Sequence, residues 1–266
     1  MSTRIKDGLL AFLVYLSAGI TISSLVAILG YILWNGFGAL GFNFFMSLAP
    51  SIVTTLIVIG VSILVAVPVG IAAAIYLNEY AKNRRLVELV GFAIDSLAGI
   101  PSILYGLFGM VFFVITLKMS WSILAGSLTL AIMILPTIIR VTQESLKMVP
   151  VSFREGSFAL GASQVSTLFK IVIPSASRGI ITAVILSVGR IVGETAAVFL
   201  TVGTVKRMPE GVFSSGRTLS VNLYLLVKEA IGPEAFQEAF GTATLLILII
   251  LFIVLATQLL FRGNNH

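Results

Sequence analysis

With 266 residues, 58% of them hydrophobic and only 11% charged, and a mean hydropathy of +1.09, the chain is too apolar for an ordinary water-soluble domain and reads as a membrane protein. A net charge of +6 could serve nucleic acid, but in so apolar a chain it marks lysines and arginines gathered at one membrane face, so no nucleic-acid partner is expected. Cysteine is absent and the single histidine is the terminal His266, which excludes disulfides, thiolate chemistry and a histidine-rich metal site.

No charged residue stands between Asp7 and Glu79. That interval holds two runs, Leu9 to Leu33 and Ile52 to Leu77, each long enough for the ~20 residues a bilayer core requires. Arg4 and Lys6 before the first run imitate a signal peptide, but a signal's apolar region has only about 7 to 15 residues, so an uncleaved first helix is expected. The connection from Trp34 to Pro50, with Phe37, Phe42, Phe44 and Phe45 among glycines, suits an aromatic interfacial turn. Lys82, Arg84 and Arg85 form a short basic loop between Glu79 and Glu88. A third helix is expected from Val90 to Leu117, carrying Asp95 near its start and interrupted by Gly99, Pro101, Gly106 and Gly109. Trp121 to Ile139, with Pro136 near its end, gives a fourth, followed by Arg140, Glu144 and Lys147. Gly179 to Val202 gives a fifth and Gly241 to Phe261 a sixth.

If the sides alternate, eleven Lys and Arg fall on the side of the N-terminus and five on the other, with Arg190 left inside a helix. The positive-inside rule then puts both termini and the loop 140–178 in the cytoplasm, and the loop 203–240 outside. With no repeat and no linker, residues 1–266 read as a single all-α integral membrane domain of six transmembrane helices.

The cytoplasmic loop is more ordered than a connection needs. Ser152 followed by Glu155 fits a capping box, Gly161 stops the helix so begun, Ser163 caps a second one, and Pro174 lies where that one must end. Glu155 and Arg154 offer charge to a partner, while Phe153, Phe158, Leu160 and Phe169 offer apolar anchors.

Two groups of residues could carry transport. Arg190 and Glu194, four apart on one helix face beside Thr195, form either a self-neutralising ion pair or a polar path on which Arg190 presents forked donors to an oxyanion. Gly189 and Gly193 beside them form a small-residue face for close helix approach. Arg140 reads first as an inside-facing anchor and second as the inner end of that path. Asp95 sits near a helix start, where a carboxylate is favoured. Pro101 and Tyr105 either shape a gate or simply pack, since a kink exposes backbone that a cavity or neighbour must satisfy. In the external loop, Ser220 caps a helix running to Ile231 that lies on the membrane surface or faces a partner. The stretch Gly211 to Thr218 imitates a phosphate loop, but with arginine for lysine and on the side away from ATP.

Glu155-Gly156-Ser157, Gly161 and Ile171-Val172-Ile173-Pro174 resemble the cytoplasmic EAA loop of ABC importer permeases (E-A-A, x3, G, x9, I-x-L-P), with small residues for the two alanines and Ile173 for leucine. Together with Leu97 to Gly109, Leu135 to Arg140 and Gly189 to Ala197, the match extends over roughly residues 50 to 265 and resembles the PstA-type permeases of phosphate importers. The resemblance implies a type I importer permease fold with cytoplasmic coupling helices between helices 4 and 5, in a bacterial or archaeal inner membrane. It makes Ser152, Arg154, Glu155, Gly156, Ser157, Gly161, Ile171 and Pro174 the residues that dock an ATPase. Its implied partners are a PstC-like second permease, a PstB-like homodimeric ATPase that alone binds ATP and Mg, and an extracytoplasmic PstS-like phosphate-binding protein. No cofactor and no catalysis belong to the chain itself. A permease for another solute, a secondary transporter or channel using Arg190 and Glu194, and a non-transporting scaffold are the rival classes.

Overall fold

The computed structural model describes residues 3–229 and 232–262; the expected end of the external helix at Ile231, and His266, lie outside them. Among the described residues every regular element is helical. The first is α1 (Thr3–Gly36). After a 3-10 turn at Phe37–Ala39 comes α2 (Phe42–Ile75), which runs on through a π-helical turn at Tyr76–Tyr80. The expected aromatic turn is thus largely helix, and Pro50 and Pro68 both lie inside α2.

The third expected helix is two. α3 (Arg84–Ala98) meets α4 (Ser102–Gly109) and its π-helical extension, Met110–Thr116, at a bend of 98°. The cause is local: Pro101 has no N–H to give the Leu97 carbonyl, so the helical ladder fails there. That carbonyl instead accepts from the Ile100 amide at 3.1 Å and from the Tyr105 hydroxyl at 2.8 Å. Five helices are long and apolar enough to cross a bilayer, and this bent pair makes a sixth span if taken together.

α5 (Ile123–Lys147) is the central helix, and continues well beyond Ile139 with Pro136 inside it. Leu130, Met133, Ile134 and Ile138 are fully enclosed, against Val58 and Ala66 of α2 and, from the later helices, Val188, Val192 and Val198. By contrast, none of the apolar window of α1 is buried. That helix is seated only at its end, where the Thr244 hydroxyl donates to the Ile32 carbonyl at 3.2 Å and Tyr31 meets Phe240 edge-on at 5.6 Å.

After α5 follow α6 (Val151–Ala159) and α7 (Gln164–Thr167), then a π turn, Leu168–Val172, leading directly into α8 (Ile173–Gly193). Pro174 therefore ends nothing. The wider π register, in which the Ile173 amide reaches the Leu168 carbonyl, absorbs the proline's missing donor, and residues 164–193 form one long helix. The fifth span stops at Gly193 and resumes as α9 (Ala196–Thr201). α10 (Leu219–Glu229) and α11 (Pro233–Arg262) complete the chain.

α10 packs into the bundle along one face, with Leu219, Ser220, Val221, Asn222 and Leu225 buried, and leaves Tyr224 and Val227 exposed on the other. Its first turn is capped by Thr218, whose hydroxyl accepts from the Val221 amide at 3.4 Å, and not by Ser220. The phosphate-loop lookalike ahead of it works with its carbonyls. Ser214 and Val212 accept from the Ile123 and Leu124 amides at 3.0 and 2.7 Å, closing the start of α5. Carbonyls turned inward in this way are the opposite of a phosphate cradle.

Candidate coupling knob and polar path

α6, α7 and the π turn after them form a knob at the ends of α5 and α8. Helix α6 starts at Val151 with Pro150 at its N-cap and no side-chain cap, so the expected capping box of Ser152 and Glu155 is not made. Pro150, extended at φ −55° and ψ 138°, already fixes the chain's entry into the helix two residues earlier than that box requires. Both Ser152 and Glu155 are exposed instead. The end of α6 matches the expectation. Gly161 has φ +81°, its amide reaches the Phe158 carbonyl at 2.9 Å and the Ala162 amide reaches the Ser157 carbonyl at 3.1 Å, the paired bonds of a Schellman turn. Ser163 caps α7 by accepting from the Ser166 amide at 3.2 Å.

The small residues at 156 and 157 have separate uses. Gly156 faces open space, where a Cβ would meet nothing. Ser157 is buried and its hydroxyl lies 2.8 Å from that of Thr167, pinning α6 to α7. Ile171 is half-buried in the π turn and Pro174 is exposed. Phe153, Phe158, Leu160 and Phe169 all project outward, Leu160 with 91% of its surface exposed. Arg154 does not: its side chain is only 17% exposed and turned inward onto Glu79, so it offers no charge to a partner. The charge left at the surface of α6 is that of Glu155.

At the other end of the bundle, the expected Arg190–Glu194 face is broken. Because α8 ends at Gly193, Glu194 has extended backbone, φ −72° and ψ 125°, and its carboxylate turns forward to accept the Ala197 amide at 3.1 Å. There it satisfies one of the free amides that open α9. Its carbonyl accepts from the Ser220 hydroxyl at 2.7 Å, and the Thr195 hydroxyl donates to the Gly193 carbonyl at 3.4 Å. Among the described residues Arg190 is half-buried and in no salt bridge, so a self-neutralising pair with Glu194 is not formed.

Gly189 and Gly193 also depart from expectation, since each faces open space and, among the described residues, no helix closes on them. The close approach occurs elsewhere: a Cβ on Gly106 would sit 2.7 Å from the Ala197 Cα, so α4 rests on α9. The residues expected at a gate, Pro101 and Tyr105, are thereby brought to the broken fifth helix with Arg190, Glu194 and Thr195. Arg140 lies apart, toward the end of α5 that carries the knob, where it donates to both carboxylate oxygens of Asp95, one at 2.6 Å, and to the Gly91 carbonyl at 2.9 Å. Asp95 is thus in the last turn of α3, not its first, and clamps α3 to α5.

Sequence reasoning missed Glu79, Gln164 and Thr167, which fasten the knob from behind. The signal for Glu79 was available: it is the first charge after a long uncharged interval, at the same membrane face as the basic loop it meets.

Residues 66–263 match the family of binding-protein-dependent transport system inner membrane components. The chain belongs to this family. The permease is 30% identical to the probable ABC transporter permease protein YqgI of Bacillus subtilis, over 97% of its own length and 96% of that protein's. To the phosphate transport system permease protein PstA 1 of Mycobacterium tuberculosis H37Rv it is 38% identical over 77% of its length and 67% of the relative's. Its fold, a type I importer permease, is shared with a chain of a bacterial ABC transporter involved in the import of the acidic polysaccharide alginate, at a TM-score of 0.68, 15% identity and complete coverage of both chains.

Proposed function

We infer that the permease is the membrane subunit of an ATP-driven importer of inorganic phosphate. The observation that carries this is the knob: a strapped pair of helices at the membrane face, showing apolar anchors and one free carboxylate, in a chain 38% identical to a phosphate permease. A surface so built fits a separate ATPase, which binds ATP and Mg and performs the hydrolysis, while this chain catalyses nothing and holds no cofactor. A second, PstC-like permease completes the path, and an extracytoplasmic PstS-like protein delivers phosphate to it.

The knob residues Glu155, Gly156, Gly161 and Phe158 receive the ATPase's movement. Arg190 is the group on the path that meets phosphate, because a half-buried guanidinium free of carboxylates keeps its paired donors for an oxyanion. Glu194, committed to the α9 start, shapes the break and does not neutralise Arg190. Arg140, occupied by Asp95, anchors α3 at the cytoplasmic face, where both termini also lie.

The test is uptake of labelled phosphate by proteoliposomes holding the full set of subunits. Accumulation that needs enclosed ATP, and that excess sulfate does not compete away, is the expected result. Uptake driven by an ion gradient alone, or by this chain alone, would overturn the reading.

A further inference from the structure

The coupling helix is hinged at both ends. Pro150 separates α6 from α5, and Gly161, at φ +81°, separates it from α7. A helix held only by two such joints would roll when pushed, and the push would be spent on that rotation. Two side-chain straps oppose it. One is Ser157 to Thr167, which holds α6 only to its own neighbour. The other reaches the bundle.

The second strap centres on Glu79 in the π-helical turn that ends α2. One carboxylate oxygen accepts from Arg154 of α6 at 2.9 Å and from Asn78 at 2.7 Å. The backbone carbonyl of the same residue accepts from Gln164, the first residue of α7, at 3.1 Å. Arg154 spends its other donors on the Val149 and Leu146 carbonyls at the end of α5, at 2.8 and 3.0 Å. Arg154 and Glu79 are only 17% and 14% exposed, so the pair is shielded from water and directional, unlike an exposed ion pair. The apolar packing of Ile75 on Leu146, Leu168 and Val172 also joins α2 to this region, but such contacts slide. Beside the pair lies a cavity of about 140 Å³ lined by Phe158, Thr167, Leu168 and Val172, and both Glu79 and Leu168 belong to π-helical turns, whose looser register lets neighbouring segments shift.

We propose that the Arg154–Glu79 pair is the strut that stops the knob from rolling and delivers the ATPase's push directly to α2, so that Glu79 is a positioning residue for transport. The inference rests on the importer reading above. It concerns the path of motion inside this chain and not the docking surface.

The experiment uses the assembled transporter in proteoliposomes and reads phosphate moved per ATP hydrolysed. Glu79→Gln keeps the shape and removes the charge. The ratio should fall by about tenfold, within the range of ordinary site-to-site coupling, while ATPase subunits still co-purify. Arg154→Gln, which also loses the bonds to the Val149 and Leu146 carbonyls, should lower the ratio by a smaller factor on the Glu79→Gln background than alone, because the contact they share is already broken. In this cysteine-free chain, Glu79→Cys with Arg154→Cys, joined by a short bismaleimide, should restore the ratio by replacing the ionic strut with a covalent one. An unchanged ratio in Glu79→Gln, losses that multiply in the double variant, or a cross-link that restores nothing each overturn the proposal. So does failure of the Glu79→Gln complex to assemble, which would make the pair a brace for folding. Absence of ATP-driven uptake in the unmodified complex would instead defeat the importer reading.

Discussion

Four single residues have consequences that their types alone do not announce. Tyr105 is a large aromatic in an apolar helix, yet its hydroxyl supplies the donor that Pro101 cannot give to Leu97. Tyr105→Phe keeps the ring and strips that carbonyl of its side-chain partner, at a cost of about 1 to 3 kcal/mol, read as an earlier thermal transition of the detergent-solubilised subunit. Gly161→Ala forces a side chain into the left-handed region and should cost about 1 to 2 kcal/mol; the same assay, with cleavage in the knob by added protease, checks it. Among the helix glycines, Gly106→Ala should destabilise by about 1 to 3 kcal/mol through overpacking against Ala197. Gly189→Ala, which meets open space within this chain, should leave the isolated subunit's melting unchanged. The sequence shows all of these glycines alike; only the neighbours brought by the fold tell the packed from the open.

For whole elements, legibility followed length of pattern. The long apolar runs mark α1, α2, α5, α8 and α11 because a 20-residue apolar stretch has one stable disposition in lipid, and Gly161 with Ser163 mark the knob because each meets a local backbone need. What stayed hidden was decided between elements. Pro101 and Pro174 are both prolines in helical surroundings, but the first breaks its helix by 98° and the second is carried through by a π turn. That difference lies in register, which no single residue encodes. Arg190 and Glu194 likewise sit at helical spacing, and the break at Gly193 parts them because the start of α9 offers the carboxylate an unpaired amide. The clamp of Arg140 on Asp95 joins residues 45 apart in sequence, so neither helix foretells it. With the two side chains 32% and 63% exposed, water screens the pair, and Asp95→Asn should cost the whole subunit at most about 1 kcal/mol. Its local effect is larger: α3, attached otherwise by Ile94 and a few half-buried neighbours, should loosen from α5. Faster hydrogen exchange confined to Arg84–Ala98, with α5 unchanged, is the expected outcome, and exchange equal to that of the unmodified chain would show the clamp to be idle.

Over the molecule as a whole, the arrangement of charge and the arrangement of surfaces point to one orientation. If the spans alternate sides, eleven basic side chains fall on the face that carries the knob, against five on the other, and translocating that larger group would be the costlier choice. The knob's exposed apolar anchors are at that end of the bundle, whereas the loop that closes the start of α5 is at the opposite end. These two lines are independent, one from composition and one from packing, so a topology experiment tests both. The absence of native cysteine makes the measurement direct. Ser152→Cys and Val205→Cys each place one thiol at an exposed position, in the knob and in the external loop respectively. In sealed right-side-out vesicles a membrane-impermeant maleimide should label the second and spare the first, with the pattern reversed in inverted vesicles. Labelling of Ser152→Cys from outside would put the knob beyond reach of ATP-driven subunits, and the importer mechanism would fall with it. Labelling of both from one side would instead require an even number of spans between them; the structure places one crossing, α8 continued by α9, in that interval, so the result would overturn that crossing.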